Sequence, residues 1–396
     1  MRILVPLIAS MPALTLNPNI ILAPAEQGYI AYDADNHRLH QLNAAASLLV
    51  ELCDGTRSNS QLIELALPLL PPDSGDALRS WLLEAESAEV LIENIDEQHR
   101  HWDAQELSDL ATRLRDDGSV QAAWLCQHRA CEIRPDDVSF LRNLGELAHM
   151  TGRRDGAREA YEAVLELNPN DAEVRHLLTS LRDEAAPTRV PTECIQQLYR
   201  RFSNFYEDNM LEQLGYEGPV HLAELINSEL QDRGGLRAVD LGCGTGLAGR
   251  TIADRCEELT GVDLSPEMLT QSEKLQIYTS LHEAEVSGWL EQCGHEFDLI
   301  VALDTLIYFG DLTQVLQPAA SHLAHDGRIA ISVERSATPP FVLTDNGRYQ
   351  HHEDHIAEAA AKSGLRVIAQ KQAFLRMEYG EEVTAIFTIL AHADDS

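Results

Sequence analysis

The sequence predicts a multidomain α/β protein. It comprises a small N-terminal α+β domain over residues 1–98, an α-helical repeat over 104–183 and a doubly wound α/β domain over 195–396. Three observations carry this. Strand-like alternation gives way to helical periodicity before residue 98, and a proline and alanine pattern recurs at a spacing of 34 in the middle. Past residue 195, short apolar strands alternate with helical stretches around a glycine-rich turn.

At 396 residues the chain is long enough for two or three cores. No apolar run reaches the roughly 18 residues of a membrane span, so no membrane role is expected. The formal net charge of -34 repels phosphate backbones, which makes nucleic acid a poor substrate and leaves room for a cationic ligand or a basic peptide. The seven cysteines contain no C-x-x-C pair and read as reduced thiols of a cytoplasmic protein, with no disulfide framework and no metal site. The opening "MRILVPLIASMPALTLNPNIILAP" is apolar, but Pro6 and Pro12 interrupt it and no small-x-small cleavage site follows. Short edge strands are expected there rather than a secretory signal.

In the first domain "GYIAYDADNHRLHQLN" alternates as two strands joined by a turn at Asp33–Asn36. "AAASLLVELCDG" follows as an amphipathic helix closed by Gly55, then "NSQLIELALPLL" and "DALRSWLLEAESAEV" as two more helices. With Leu42, Asn43, Leu52, Cys53, Asp54 and Gly55 in their places, residues 18–95 resemble the PqqD-like peptide-recognition domain of ribosomal-peptide modification systems, a winged-helix-like α+β fold. The resemblance implies that a leader peptide adds as a strand to the small sheet. A degenerate winged-helix domain with only a packing role is the alternative.

Pro135 and Pro169 lie 34 apart, as do Ala123 and Ala157. Leu144, Gly145, Ala148, Ala157, Tyr161 and Pro169 are the small, large and helix-ending residues that a helix–turn–helix repeat needs, and Leu177 and Leu178 begin a further helix in phase. The segment resembles a tetratricopeptide array of two units plus a cap; an unrelated helical hairpin is the alternative. "RDEAAPTRVP" then reads as a polar, proline-bearing linker.

"LRAVDL" is a short strand that delivers Asp240 beside a turn rich in glycine, and "LAGRTIADRC" then opens a helix whose amides face the same place. Gly244, Gly246 and Gly249 give G-x-G-x-x-G, the dinucleotide spacing; Asp240, Gly242, Gly244 and Gly246 give the tighter D-x-G-x-G-x-G. A carboxylate at Asp240 would repel a pyrophosphate and welcome an ammonium or sulfonium, and the loop holds no lysine or arginine. A second strand, "ELTGVDLS", ends in Asp263, placed to accept both ribose hydroxyls. "LHEAEVSGWL" reads as a strand edge carrying Glu285, "FDLIVALDTLIYF" as a fourth strand ending near Asp304, "GRIAISVE" as a fifth, and "LRVIAQKQAFLRMEY" with "EEVTAIFTILAH" as a closing pair.

From these motifs, and from "LYRRFSNFYEDNMLEQLGY", "GRYQHHEDH" and "LRMEYG", residues 195–392 resemble the class I S-adenosylmethionine-dependent methyltransferases, in particular those fused to tetratricopeptide repeats. The resemblance implies a Rossmann-like seven-stranded methyltransferase domain with S-adenosyl-L-methionine as cofactor. Asp240, Gly242, Cys243, Gly244 and Gly246 would surround its methionine part, Asp263 with Leu264 its ribose, and Met268, Ala284 and Glu285 its adenine. Tyr199 and Tyr206 could lid the site and gain cation–π energy from the sulfonium, or be core aromatics at helical spacing.

A general base is needed only if the methyl acceptor starts protonated. Asp304, Tyr349 and His351 are the catalytic candidates, with Tyr308 and Glu334 also near the expected face. His351 and His355 are i,i+4, but no metal is expected. Domain order suggests methylation of a ribosomally made precursor peptide, tethered by its leader, at a carboxylate by preference or a side-chain nitrogen next. Partner modification enzymes would accompany it. A small-molecule methyltransferase whose first domain only packs, and a non-catalytic cofactor-binding peptide scaffold, are the alternatives.

Overall fold

The computed structural model describes residues 13–25, 28–71, 73–93, 102–182, 186–203, 206–231, 233–378 and 381–394. The first 12 residues, and with them much of the expected edge-strand segment, lie outside these. The chain divides into two compact units, Met1–Leu167 and Asn168–Ser396. Among the described residues no helix is long and apolar enough to cross a membrane.

The first unit opens with strands β1 (Ala13–Leu16), β2 (Ile20–Ala25), β3 (Gly28–Asp33) and β4 (Arg38–Leu42), followed by β5 (Asp54–Ser58) and β6 (Leu91–Glu93). They form two three-stranded sheets, β2-β3-β4 and β5-β1-β6. The β3–β4 turn is fixed by Asp33, whose carboxylate accepts the backbone N–H of Asp35 and Asn36 at 3.0 and 3.1 Å. Asn43 caps the next helix by accepting from Ala46 N at 2.9 Å. That helix, Ala44–Leu52, ends at Cys53, so Gly55 does not close it but lies inside β5 at φ 78°. Three helices and both sheets share a core that includes Leu14, Leu49, Leu62, Leu78 and Leu82. Two helical hairpins follow, Ala104–Asp116 with Val120–Ile133 and Val138–Met150 with Arg154–Leu167. In the second, a Cβ on Gly145 would stand 2.4 Å from the Tyr161 ring, so only glycine lets these two helices meet over the tyrosine.

The second unit is built on β7 (Leu236–Leu241), β8 (Cys256–Asp263), β9 (Ser280–Glu283), β10 (Phe297–Ala302), β11 (Leu323–Arg335), β12 (Phe341–Leu343), β13 (Tyr349–His351), β14 (Leu365–Glu378) and β15 (Glu381–His392). Strands β9, β8, β7, β10 and β11 run parallel in that order; β15 then pairs antiparallel with β11, and β14 antiparallel with β15. This path is the seven-stranded sheet expected from the sequence. The pair β12–β13 adds two short strands where β13 meets the end of β11. The strands read as near-continuous apolar runs because helices cover both faces, as a parallel sheet requires.

Two segments assigned elsewhere from sequence belong to this unit. The helix Ala172–Ser180 docks on the turn before β13, where His176 Nε2 meets Gly347 O at 2.8 Å and Ser180 Oγ donates to Asp345 O at 2.9 Å. The second half of the expected linker is no linker. Val190 N donates to Tyr308 O at 2.8 Å, Gly310 N donates to Thr188 O at 2.8 Å, and Arg189 bridges Phe309 as a strand would. Residues 183–185 lie outside the described residues.

Candidate active site

A cavity opens beyond the C-terminal ends of β7, β8 and β10, where a doubly wound sheet places its ligand. Its glycine turn follows β7, with Gly242, Gly244 and Gly246 at φ 70°, 54° and 94°. Gly242 is held by Thr305, whose Oγ1 would lie 2.3 Å from an added Cβ and donates to Leu241 O at 2.9 Å. Around Gly244 an added Cβ would meet no protein atom within 4 Å, so its bare backbone faces open space in the cavity. Gly246 has a packing role instead: a Cβ there would strike Leu275 at 2.5 Å. The helix that follows is only Gly249–Ile252, far shorter than "LAGRTIADRC" suggests.

Asp263 ends β8 in the cavity wall. Its Oδ2 accepts the Gly244 N–H at 2.9 Å and its Oδ1 accepts the Ser265 N–H at 2.8 Å. Each oxygen keeps a lone pair, so the carboxylate can still accept two hydroxyls from a ribose. Burial pushes its pKa up while the backbone donors pull it down. Leu264 and the buried Met268 line the same wall, and Ser265 Oγ accepts Met268 N to start the helix Pro266–Glu273. Glu285 also lines the cavity, but not from a strand edge. β9 stops at Glu283, and Glu285 is the N-cap of the helix Val286–Gln292, accepting Gly288 N at 2.8 Å and pairing with Arg189 at 3.2 Å.

Three residues expected around the cofactor stand behind the wall. Ala284 donates its N–H to Asp263 O at 3.0 Å and packs on the core. Cys243 is buried, and its N–H donates to Val262 O at 3.0 Å. Asp240 requires the larger correction. It is 1% exposed, does not line the cavity, and accepts the Tyr278 hydroxyl at 2.8 Å beneath the glycine turn. Burial pushes its carboxyl up to about 7, so its charge is not offered to a sulfonium as the sequence argument held. It supports the turn.

On the opposite wall stand three tyrosines. Tyr199, from the helix Thr192–Phe202, shares a hydrogen bond of 2.7 Å with the Tyr308 hydroxyl. Tyr206 meets the Tyr199 ring edge to face at 6.0 Å. Asp304 completes this side, just past β10, in the left-handed region at φ 55°, with its N–H donating to Ser332 Oγ at 2.8 Å. Behind it lies a buried ion network. Arg376 reaches Asp304 at 3.1 Å, Glu334 at 2.5 Å and Glu378 at 3.2 Å, and Arg348 holds Glu334 at 3.0 Å and also pairs with Glu378. Burial pushes the Asp304 carboxyl above its usual range, although Arg376 pulls the other way.

Tyr349 and His351 are not in the site. Both side chains are 0% exposed, and neither lines the cavity. The Tyr349 hydroxyl donates to Pro187 O, and the His351 ring stacks on His355 at 5.4 Å beside Phe341. Alternation explains the misplacement: in β13 both residues turn to the same inner face, away from the ligand. Burial pushes His351 down to about 3, so it stays neutral. Among the described residues no group of three metal-ligating side chains converges.

Sequence reasoning missed Arg189, Thr305 and Phe309, all on the cavity wall, and Arg348, Arg376 and Glu378 behind it. Arg348, Arg376 and Glu378 do lie within "GRYQHHEDH" and "LRMEYG", so the motifs marked them without revealing that they meet.

A doubly wound mixed sheet with a bare glycine turn against a buried carboxylate defines a nucleoside-binding domain. Comparison makes the class specific. Residues 239–329 match the family described as methyltransferase domain, and residues 138–171 match the tetratricopeptide repeat. The chain is 25% identical over 162 residues to a ubiquinone biosynthesis O-methyltransferase of Xanthomonas axonopodis pv. citri, covering 37% of this chain and 67% of that one. It is 32% identical over 99 residues to a magnesium-protoporphyrin O-methyltransferase of Rhodobacter capsulatus, covering 24% and 43%. A crystal structure of magnesium protoporphyrin IX methyltransferase from Synechocystis PCC 6803 with bound SAH aligns at 16% identity and a TM-score of 0.40, over 51% of this chain and 100% of that one. The chain is an S-adenosylmethionine-dependent methyltransferase, and it carries a tetratricopeptide repeat.

Proposed function

We propose that this enzyme methylates a ribosomally made precursor peptide, recruited through its leader by the N-terminal domain, at a carboxylate or a side-chain nitrogen. The observation that carries the methyl-transfer half is the cradle between Gly244 and Asp263: open backbone on one side and a carboxylate with free lone pairs on the other. S-adenosylmethionine held there would supply an activated methyl group to an acceptor lone pair, with the sulfur as leaving group. Gly244 would let the backbone approach, Asp263 would hold the ribose, and Met268 would pack on the adenine. Tyr199, Tyr206 and Tyr308 exclude water from the transfer, where alignment and desolvation supply most of the acceleration.

The peptide half is supported by the first unit. Among the described residues β4 pairs only with β3, and its free edge exposes Leu39, which is 47% accessible. An unpaired edge with an exposed apolar side chain suits an added strand. The test is mass spectrometry of candidate precursor peptides, with and without leader, after incubation with S-adenosylmethionine. A leader-dependent gain of one methyl is expected. Turnover indifferent to the leader overturns the peptide reading and favours a small-molecule acceptor, the reading that the names of the ubiquinone and magnesium-protoporphyrin relatives support.

A further inference from the structure

We infer that the methyl acceptor presents an N–H or O–H group, as an amine, imidazole, amide or hydroxyl does, and seats it on Asp304; a carboxylate acceptor is excluded. The inference rests on the methyltransferase reading and narrows the acceptor proposed above, withdrawing the carboxylate.

Three acids line the cavity, and two of them are committed to the nucleoside side. Asp263 is fixed by Gly244 and Ser265, and Glu285 by Gly288 and Arg189. Asp304 stands among the tyrosines, and its carboxylate is aimed by forces from behind. Arg376 Nη1 contacts Oδ2 at 3.1 Å and Oδ1 at 3.4 Å, so the side chain cannot swing away, and its N–H is tied to Ser332. A non-glycine residue at φ 55° is costly backbone, retained here where it turns an acid toward a cavity.

Charge decides which acceptor fits. The network has three carboxylates, Asp304, Glu334 and Glu378, and two guanidiniums, Arg348 and Arg376, an excess of one negative charge (3 − 2 = 1). Both guanidiniums are engaged by acids and neither lines the cavity. Among the described lining residues the cation is Arg189, which is committed to Glu285 and stacked 4.9 Å from the Phe309 ring centre. The other polar side chains near Asp304 are neutral tyrosine hydroxyls and Thr305, whose hydroxyl is spent on Leu241 O. A carboxylate acceptor would therefore meet Asp304 with no protein side-chain cation between them. A donor meets a lone pair, and the proton released on transfer has Asp304 to receive it.

The test is calorimetry on the full chain with three probes: S-adenosylhomocysteine, and two analogues with nitrogen in place of sulfur, one bearing an aminoethyl arm and one a carboxymethyl arm where the methyl would be. The aminoethyl analogue should bind at least about tenfold more tightly than the carboxymethyl one. Asp304→Asn, its fold checked by circular dichroism, should bring the two within about threefold. Equal or tighter binding of the carboxymethyl arm to the wild type overturns the inference, and this ratio decides even if the variant fails to fold. A ratio unchanged in a folded Asp304→Asn overturns it too. Failure of the wild type to bind S-adenosylhomocysteine would instead remove the cofactor reading beneath it.

Discussion

Replacing Arg376 with Met removes one of two cations from the network behind Asp304. The three carboxylates would then share Arg348 alone, and the excess negative charge would rise from one to two (3 − 1 = 2). Arg376, Glu334 and Glu378 side chains are 4%, 1% and 15% exposed, so water cannot screen the change. Removing one partner of such a buried pair costs about 3–5 kcal/mol. At about 2–4 °C per kcal/mol for a unit of this size, the melting transition falls by roughly 6–20 °C. The pH dependence gives a second signature. In the wild type burial pushes Glu378 up, but Arg348 and Arg376 pull harder and hold it below the usual range. It therefore stabilises the fold above the unfolded carboxylate pKa, and that stability is lost as pH falls through the folded value. In Arg376→Met the uncompensated carboxylates shift upward, the folded state takes up a proton, and stability recovers as pH falls. The assay is thermal unfolding of wild type, Arg376→Met and Arg376→Met/Glu334→Gln at pH 8 and pH 5.5. We expect the deficit to shrink at the lower pH and the double variant to recover part of it. A deficit below about 1 kcal/mol, or one equal at both pH values, refutes the reasoning.

The glycine turn supplies a contrast. Both glycines stand at positive φ, so each alanine carries backbone strain of about 1–2 kcal/mol. Gly242→Ala also strikes Thr305 at 2.3 Å and should lose about 1–3 kcal/mol more, whereas Gly244→Ala meets no protein atom and should add a loss of affinity for S-adenosylhomocysteine; equal melting losses would contradict this. Asp263→Asn loses the charge and one acceptor proposed to hold the ribose, so calorimetry should show affinity falling by at least about tenfold; an unchanged dissociation constant would sink the ribose assignment. His351 titrates near 3 when folded against an ordinary 6.5, so between those values only the unfolded chain binds its proton and falling pH destabilises the fold. Asp240, raised from 3.8 to about 7, acts in the opposite sense over much of the same window. His351→Asn removes the first effect alone, and its stability relative to wild type should improve by about 2 kcal/mol from pH 7 to pH 5; a constant difference in denaturation midpoints would count against a buried neutral imidazole.

The parts of the fold legible in the sequence were those with long, one-sided physical signals. β7, β10 and β11 are apolar runs buried on both faces, and the tetratricopeptide pattern survives because Gly145 has no room for a side chain over Tyr161. β5 and β6 escaped notice because they are short, and neither "DGTRS" nor "LIE" shows a usable period. In the site, Asp263 and the glycine turn were readable from spacing because the chemistry sits within one strand–turn–helix stretch. Asp240 was misread because its partner, Tyr278, lies 38 residues away and turns the carboxylate inward. The ion network draws on Asp304, Glu334, Arg348, Arg376 and Glu378, which only the sheet brings together. Residues 187–191 looked like a linker because prolines and polar residues also suit a strap that docks through its backbone.

Titration calorimetry of the full chain with S-adenosylhomocysteine, set against a nicotinamide dinucleotide, tests the cradle between Gly244 and Asp263 most directly. We expect one equivalent of S-adenosylhomocysteine to bind, the dinucleotide to give no heat, and Asp263→Asn to weaken the first without admitting the second. Saturable uptake of the dinucleotide with none of S-adenosylhomocysteine would contradict the assignment of this site to methyl transfer.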